Sequence, residues 1–285
     1  MLHTGDNLRG SITALRTAML LGTVLEGMAV RCDAAHNLIV QFGSFKGMIP
    51  REECAMGIAE GRTREVAILS RVGKPVSFVV EEITAVEGGF QFVASRRKAQ
   101  QAALDMLLET VSAGMILPAV VTHLEPFGTF VDLGCGVISM IPIECSSISR
   151  IGHPRERFFV GQRIFVLVTG VDQDLGRFTL SHKELLGTWA ENAALFSAGE
   201  VVTGYVRSVM SYGVFIELTP NLTGLSDICH GLREGERVSA YIKTILPESR
   251  KVKLRVIEVL PALNTPPPLR YYVSSGMLNG WNYEG

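Results

Sequence analysis

Short runs of alternating apolar and polar residues recur along most of the chain, and glycine or proline interrupts them roughly every 8 to 12 residues. After Gly128, for example, Val131 and Leu133 alternate with Phe130 and Asp132. A period of two is typical of strands that bury one face. The pattern predicts short strands assembled into small all-β barrels or sandwiches.

Helical periodicity is confined to the connections between these runs. From Ser95 to Ser112, apolar residues fall on one helical face, and the run ends before Gly114. A second, shorter helical connection is expected after Ser181, extending to Asn192. His182 lies at the start of that connection, where we expect it to be exposed or to cap a helix.

The chain contains an internal repeat. Shifted by 85 residues, GMILPAVVTHLEPFGTFVDL from Gly114 lies over GEVVTGYVRSVMSYGVFIEL from Gly199, and five of the 20 positions are identical. Further along, GQRIFVLVTGV from Gly161 matches GERVSAYIKTI from Gly235 at an offset of 74, so the third copy lacks 11 residues in one connection. A more distant first copy includes GKPVSFVVEEI from Gly73. Three copies therefore cover most of residues 22–260.

Two aromatic residues three positions apart recur in the second and third copies. They are Phe127 and Phe130 in one and Tyr212 and Phe215 in the other. Because successive side chains of a strand point to opposite faces, Phe130 faces outward if Val131 is in the core. Exposed rings can stack on the bases of single-stranded nucleic acid, at roughly 1–3 kcal/mol per base. The alternative is that the rings are core residues, as an isolated strand Phe usually is.

Basic residues near the same predicted faces would support stacking. They are Arg177 in the second copy, Arg207, Lys251 and Lys253 in the third, and Arg150, Arg155 and Arg157 in the long connection of the second copy. Each could instead be an ordinary solvated charge. The hypothesis requires that they cluster around one face.

The first copy lacks the aromatic pair. In AAHNLIVQFG, His36 takes the first aromatic position and Ile39 the second. We therefore expect this copy to bind RNA weakly or to serve packing or docking. His36 is alternatively an ordinary loop histidine.

The composition is that of a globular protein, with 47% of the 285 residues hydrophobic and 19% charged. The net charge of −1 means that nucleic-acid binding would have to rest on more than bulk charge. Five widely spaced cysteines include no C-x-x-C pair that would indicate zinc or a disulfide framework. The longest uncharged stretch, Thr110 to Leu124, is too short to span a membrane, and no secretory signal is found. We expect a cytoplasmic protein with no membrane partner.

One longer pattern is specific. It joins Gly-x-Val/Ile to an aromatic-Gly-x-Phe-Val/Ile strand, then to Gly-x-x-Val-x-x-x-Ile and Arg/Lys-x-x-Leu-Ser. This pattern resembles the RNA-binding repeat of the bacterial 30S ribosomal protein S1 family, a five-stranded OB-type barrel. LSHKELLGTWAEN from Leu180 and YGVFIELTPNLTGL from Tyr212 are similar to segments of the short Firmicutes-type members.

The resemblance implies site residues. In that family RNA is bound by two aromatics, a histidine in the following turn, and an Asp and an Arg that flank the last hairpin. The matching residues are Phe127, Phe130, Asp172 and Arg177 in the second copy, and Tyr212, Phe215 and Lys251 in the third. The histidine is missing, since Pro142 and Asp227 stand at its position, and Leu246 replaces the Asp of the third copy. Binding is therefore expected to rely on the second and third copies together.

We accordingly expect a mainly β protein of three tandem five-stranded OB-fold barrels of the S1 type, joined by short helices. The predicted segments are a partly helical N-terminal segment (1–21), a divergent first barrel (22–96), a helical linker (97–112), a second barrel (113–186), a linker (187–197), a third barrel (198–260) and a proline-rich, aromatic tail (261–285). The tail is expected to pack on the third barrel.

The leading functional hypothesis is a non-catalytic protein that binds single-stranded mRNA and acts in translation, with the small ribosomal subunit as partner and a monomeric free state. The alternative is a regulatory protein that docks on the ribosome or a polymerase, with RNA binding secondary. An enzyme is disfavoured because the six histidines show no H-x-x-x-H or H-E-x-x-H spacing and no Gly-rich phosphate loop is present. No catalytic residue, metal site or cofactor is predicted.

Overall fold

The computed structural model describes residues 11–263 and 265–283. The chain divides into two compact units, Met1–Thr110 with Gly134–Val137 and Val111–Leu133 with Ile138–Gly285. The predicted N-terminal segment lies partly outside the described residues. Its described part contains helix α1 (Ile12–Leu21), where the Ser11 side chain accepts a hydrogen bond from the backbone of Ala14 at the N-terminus.

The first barrel lies in the first unit. Its strands are β1 (Leu25–Cys32), β2 (Leu38–Phe42), β3 (Phe45–Ile49), β4 (Pro75–Val86) and β5 (Gly89–Ser95), and the short helix α2 (Val66–Leu69) lies between β3 and β4. They pair in the order β1-β2-β3-β5-β4, with β3 parallel to β5 and β1 closing against β4. Phe78 and Phe92 stack in its core with ring centroids 5.5 Å apart.

Helix α3 (Arg96–Thr110) follows the first barrel where the periodicity predicts a helix. Its buried side chains include Ala99, Ala103 and Leu107, which lie four residues apart on one face. At its N-terminus the Ser95 hydroxyl accepts a hydrogen bond from the backbone N–H of Lys98 at 2.9 Å. The helix therefore has the cap and the apolar stripe expected from its sequence.

The second and third barrels lie in the second unit. The strands of the second are β6 (Ile116–Glu125), β7 (Gly128–Asp132), β8 (Ile138–Pro142), β9 (Arg163–Asp172) and β10 (Arg177–Ser181). Those of the third are β11 (Val201–Met210), β12 (Gly213–Thr219), β13 (Leu222–Ser226), β14 (Arg237–Leu246) and β15 (Lys251–Leu260). Both repeat the strand order and closure of the first barrel. The prediction of a mainly β protein with three five-stranded barrels is confirmed.

Short helical segments connect the second barrel to the third. They are a single 3-10 turn (Lys183–Leu186) and helix α4 (Trp189–Ala193). Thr188 and Glu191 form a reciprocal capping box at the start of α4. Trp189 is buried against the core of the third barrel, so this connection is part of the packing.

Alternation along the strands sorts side chains between the barrel cores and the outside. Val131 and Ile216 are fully buried, whereas Phe130 and Phe215, one position earlier, face outward and are half-buried. Glu217 also faces out of its barrel, yet only 3% of it is exposed. Another segment of the chain must therefore cover it.

The C-terminal tail packs on both barrels of the second unit, whereas the sequence pointed to the third alone. The backbone N–H of Ile116 in the second barrel donates to Gly276 at 3.0 Å. Farther along, the carbonyl of Tyr283 accepts from Trp189 at 3.0 Å, and its hydroxyl donates to the carbonyl of Asn221 at 2.7 Å. The tail thus ties the two barrels to each other.

His182 is fully buried beneath this tail, so the expectation of an exposed histidine is wrong. It occupies the N-cap position of the 3-10 turn, but its side chain makes no capping hydrogen bond. Its Nδ1 lies 2.9 Å from the carbonyl oxygen of Ser146, and its Nε2 lies 3.0 Å from the hydroxyl of Tyr271. The Phe158 ring meets it edge to face at 5.0 Å. Burial lowers the pKa of His182 to about 4. The neutral ring, donating from Nδ1 and accepting at Nε2, satisfies both partners.

Stability of the protein should fall as the pH is lowered from about 6.5 to about 4. In that window His182 takes up a proton in the unfolded chain but stays neutral in the folded one, so acid favours unfolding. This group alone should cost about 1.4 kcal/mol of unfolding free energy per pH unit. Urea denaturation of wild type and His182→Gln across this range tests the point, because the variant should lose that dependence.

The exposed His230 provides the control. His230→Gln should keep the wild-type pH dependence. An identical pH dependence in wild type and His182→Gln would contradict the role given to the buried ring.

Candidate nucleic-acid interface

The aromatic pairs of the second and third barrels share one geometry. Phe127, in the turn between β6 and β7, meets Phe130 edge to face, with ring centroids 6.1 Å apart and an interplanar angle of 85°. Tyr212 and Phe215 of the third barrel are 6.2 Å apart at 90°. Phe127 is 56% exposed and Tyr212 is 64% exposed. None of the four rings is sealed inside a barrel, and each pair forms a small open platform.

A glycine after the first ring allows this geometry. A Cβ on Gly128 would lie 2.6 Å from the carbonyl oxygen of Ile141, and one on Gly213 would lie 2.5 Å from that of Ser226. Both distances are shorter than any real Cβ contact, so the next strand can approach only a glycine here. The aromatic-glycine pair therefore marks the same tight hairpin in both barrels.

Strand pairing extends each platform into a row of outward-facing residues. In the second barrel the row consists of His123, Phe130, Met140 and Thr179. In the third barrel it consists of Ser208, Phe215, Leu225 and Lys253. We call these the aromatic rows. They offer ring and side-chain surface across four adjacent strands, a layout suited to unpaired bases.

The first barrel has the same row without rings. It contains Arg31, Ile39, Met48 and Val93 in the matching pairings. His36 lies in the turn between β1 and β2 with a φ of 62°, at the place of Phe127 and Tyr212. Its Nδ1 lies 3.5 Å from a carboxylate oxygen of Glu65. The weak binding expected of this barrel stays a prediction.

His123 is a residue of the second row that the sequence reasoning missed. Its side chain is 63% exposed, its Nε2 lies 2.6 Å from Glu125, and its ring centroid is 6.2 Å from that of Phe130. A β-bulge between Val121 and His123 shifts the register, so that His123 rather than Thr122 lies opposite Phe130. Simple alternation cannot reveal such a shift.

The predicted charged residues lie near the rows with one exception. Asp172 and Arg177 are exposed partners across the β9–β10 hairpin, and Arg177 is two residues from Thr179 of the second row. The Asp172 carboxylate also accepts a hydrogen bond from the backbone of Leu175 at 2.9 Å within that turn. Lys253 belongs to the third row, and Lys251 precedes it by two positions on the same outward face of β15.

Arg207 is the exception and corrects the expectation of a free basic group. Its guanidinium contacts Glu217 through Nε at 2.7 Å and Nη2 at 3.2 Å, and it also pairs with Glu156. Its side chain is 9% exposed. A β-bulge between Val206 and Ser208 places Arg207 out of the regular alternation. Because the guanidinium of Arg207 is buried and already paired with two carboxylates, we leave Arg207 out of the candidate nucleic-acid interface.

Glu217 is held between two arginines. Besides Arg207, the Nη2 of Arg157 lies 2.5 Å from it, and Arg157 is 2% exposed. Burial alone would raise the pKa of the Glu217 carboxyl, but the charge of Arg157 and hydrogen bonds from both arginines outweigh it and lower the pKa. Burial alone would lower the pKa of Arg207. The hydrogen bonds that Arg207 donates to Glu217 and Glu156, together with the negative charges of both carboxylates, outweigh burial and raise the pKa. Glu217 and Arg207 are therefore both charged at neutral pH.

Arg157 belongs to a segment that we call the docking loop, residues 146–157, in the β8–β9 connection of the second barrel. That connection covers residues 143–162, whereas its counterpart in the third barrel covers only 227–236. The extra length of the second copy is therefore the part that reaches over the third barrel and covers Glu217. Arg157 also donates to the hydroxyl of Ser147 at 3.1 Å, which fixes it within the loop.

Asn221 fastens the docking loop at its other end. Its side-chain oxygen accepts from the backbone of Ile148 at 3.0 Å. Its side-chain nitrogen donates to the carbonyls of Lys183 and Gly187 at 2.8 and 2.7 Å. The side chain is fully buried, and these bonds use both of its donors. The contact between the second and third barrels is thus polar and buried, and the polar side-chain atoms of Asn221 within it all have hydrogen-bond partners.

In the part of the chain that the structure describes, no group of three or more His, Cys, Asp or Glu side chains is placed to hold a metal ion. Within residues 11–263 and 265–283, none of the helices has the length and apolarity needed to cross a bilayer.

Three closed five-stranded barrels of one strand order, two of them with exposed aromatic rows, define a tandem OB-barrel protein. Residues 110–183, which include the second barrel, match the family model described as S1 RNA binding domain. The second barrel thus belongs to the S1 RNA-binding domain family.

Curated relatives agree with this family. The chain is 29% identical over 205 residues to small ribosomal subunit protein bS1 of Staphylococcus aureus strain COL, covering 66% of this chain and 52% of that protein. It is 29% identical over 231 residues to small ribosomal subunit protein bS1 of Leuconostoc lactis, covering 79% of this chain and 51% of that protein. The chain therefore spans about half the length of the curated relatives it matches.

A solved structure, a multidomain protein with nucleic acid binding domains from Streptococcus pneumoniae, is also similar. It is 14% identical in sequence, the match covers 85% of this chain and 75% of that chain, and the TM-score is 0.28.

Arg157→Ala should destabilise the second unit by about 3–5 kcal/mol, because it leaves the buried Glu217 carboxylate short of a cationic partner. Arg155→Ala is the matched control, since Arg155 lies in the same loop but is exposed. Urea denaturation of both variants measures the difference. Equal stability of the two variants would mean that the docking loop does not hold the barrels together.

Proposed function

We propose that this protein is a non-catalytic binder of single-stranded RNA that uses the aromatic rows of its second and third barrels. Unpaired bases stack on Phe127 and Phe130 in one barrel and on Tyr212 and Phe215 in the other. The single observation that carries the proposal is the recurrence of the same exposed, edge-to-face ring pair in two barrels. A ring pair needed only for packing would be covered.

The charge distribution supports stacking as the main source of affinity. The whole chain carries a net charge of −1, so few phosphates can be neutralised. Stacking supplies roughly 1–3 kcal/mol per base and tolerates any base. Arg177 beside the second row, and Lys251 and Lys253 at the third, add local phosphate contacts.

We further propose that the bound RNA is mRNA and that the protein acts in translation, at the small ribosomal subunit in the cytoplasm. The support is the relationship to proteins named as small ribosomal subunit components. Since the chain spans about half of those relatives, its own partner has to be tested directly. Co-sedimentation with purified 30S subunits, with and without mRNA, provides that test, and the free protein is expected to be monomeric.

Direct binding is measured by fluorescence titration with a uridine-rich single-stranded RNA of about 20 nucleotides, long enough for two barrels at about 4–16 nucleotides each. We expect saturable binding that weakens only modestly between two salt concentrations. A duplex of the same length should bind less well, because its bases are already stacked. Absence of binding at low salt would reject the proposal.

Replacing one ring in each row tests the stacking mechanism. Phe130→Ala combined with Phe215→Ala should weaken RNA binding by roughly 2–6 kcal/mol in total, the value of two stacked bases. Thermal denaturation should show that the protein remains folded, since both rings are only half-buried.

Phe159 offers a matched control, because it is 49% exposed but lies outside the rows. Phe159→Ala should bind RNA like wild type. If the double variant unfolds while the affinity of its folded fraction is unchanged, the rings are structural and the mechanism is wrong.

Arg177→Ala should weaken binding less than the ring changes and should reduce the salt dependence. Loss of one phosphate contact lowers the slope of log K against log salt by roughly 0.7–1. Arg163→Ala is the control, since Arg163 is exposed at the opposite end of β9. An unchanged slope in Arg177→Ala would remove Arg177 from the interface.

A further inference from the structure

The docking loop brings a basic residue of the second barrel's connection close to the outward face of β13 in the third barrel. The backbone N–H of Ser149 donates to the carbonyl of Pro220 at 3.0 Å, and its hydroxyl lies 2.7 Å from that of Thr223. Arg150 is the next residue. The loop is therefore anchored to β13 immediately before this arginine.

Thr223 is close to the third row. It lies two residues from Leu225 on the same outward face of β13, a spacing of about 6.7 Å along a strand. Leu225 pairs directly with Phe215. The anchor of the docking loop is thus one outward position away from the platform on which a base would stack.

Arg150 is available for a ligand, in contrast to Arg157 of the same loop. It is exposed, and among the described residues no salt bridge involves it. Arg157 is buried against Glu217. The loop therefore contributes one arginine to holding the barrels together and leaves another at the edge of the row.

Glu217, an acidic residue close to this platform, does not cancel that charge. Glu217 lies two positions from Phe215 on the outward face of β12 and would repel a phosphate if it were free. Its charge is matched by Arg157 and Arg207, while Arg207 also pairs with Glu156. Two carboxylates and two guanidinium groups sum to zero, so Arg150 adds net positive charge at this edge.

We propose that Arg150 is an RNA-contacting residue of the third barrel, although its sequence position assigns it to the second. It binds a phosphate of the nucleotide whose base stacks on Phe215. The third barrel's site is then complete only when the docking loop is seated on it. This inference rests on the proposed RNA-binding function and adds a specific contact to it.

Arg150→Ala should weaken binding of the 20-nucleotide uridine-rich RNA severalfold at low salt, and the loss should shrink as the salt rises. The slope of log K against log salt should fall by roughly 0.7–1. Arg150→Lys should recover most of the affinity, because it keeps the charge. Arg155→Ala is the matched control, since Arg155 is exposed in the same loop but lines a cavity beside Tyr205 of β11 and Gly235 rather than lying next to β13, and it should bind like wild type.

A double-mutant cycle assigns Arg150 to one barrel. In a Phe215→Ala background, Arg150→Ala should cause little further loss, because the nucleotide that it holds is no longer stacked. In a Phe130→Ala background the full loss should remain. The opposite pattern would place Arg150 in the second barrel's site and overturn the proposal.

The same measurements separate this inference from the proposed function. If wild type binds RNA and the ring variants weaken it, but Arg150→Ala behaves like Arg155→Ala, only the role of Arg150 is wrong. If wild type does not bind, or the ring variants bind unchanged, the stacking mechanism itself fails. Melting curves for each arginine variant should match that of wild type, since both side chains are exposed.

Discussion

A carboxylate buried between two arginines holds the second and third barrels together. Glu217 and Arg207 belong to the third barrel and Arg157 to a loop of the second, so the buried carboxylate contacts both arginines only when the two barrels are packed together. Removing Arg157 leaves the buried carboxylate with Arg207 alone, which is destabilising. Asn221 and the C-terminal tail add hydrogen bonds across the same boundary. The two aromatic rows are therefore carried by one packed unit rather than by barrels on a free linker.

The two rows share a ring geometry but differ in chemistry. The second contains His123, Met140 and Thr179 around its phenylalanine, whereas the third ends in Lys253 on a strand with further basic residues. Exposed ring surface is common to both, while basic residues are concentrated at the third. In the proposed function, an RNA bound at one of the two linked rows would be held at high effective concentration near the other. Such linkage would let a chain of almost no net charge bind a polyanion through shape and local contacts.

Much of the architecture could be predicted from the sequence. The period of two, the internal repeat and the family pattern lead to three five-stranded barrels, and the apolar stripe before Gly114 leads to helix α3. The outward placement of Phe130 and Phe215 also follows from alternation. Two of the errors fall where alternation stops: β-bulges next to His123 and Arg207 change which side chain faces a neighbour. A bulge depends on how two neighbouring strands pair, and the sequence of one strand does not reveal that pairing.

The sequence by itself determined the barrels, their number and the outward direction of the rings, because side-chain direction along a strand is set by local backbone geometry. Only the tertiary structure decided which outward residues stay open. Phe130 and Glu217 both point away from a core, yet one remains accessible and the other is covered by a loop 60 residues away in the chain. It also decided that His182 lies buried beneath Tyr271 of the tail. Coverage depends on contacts between distant segments, and these arise only when the whole unit packs.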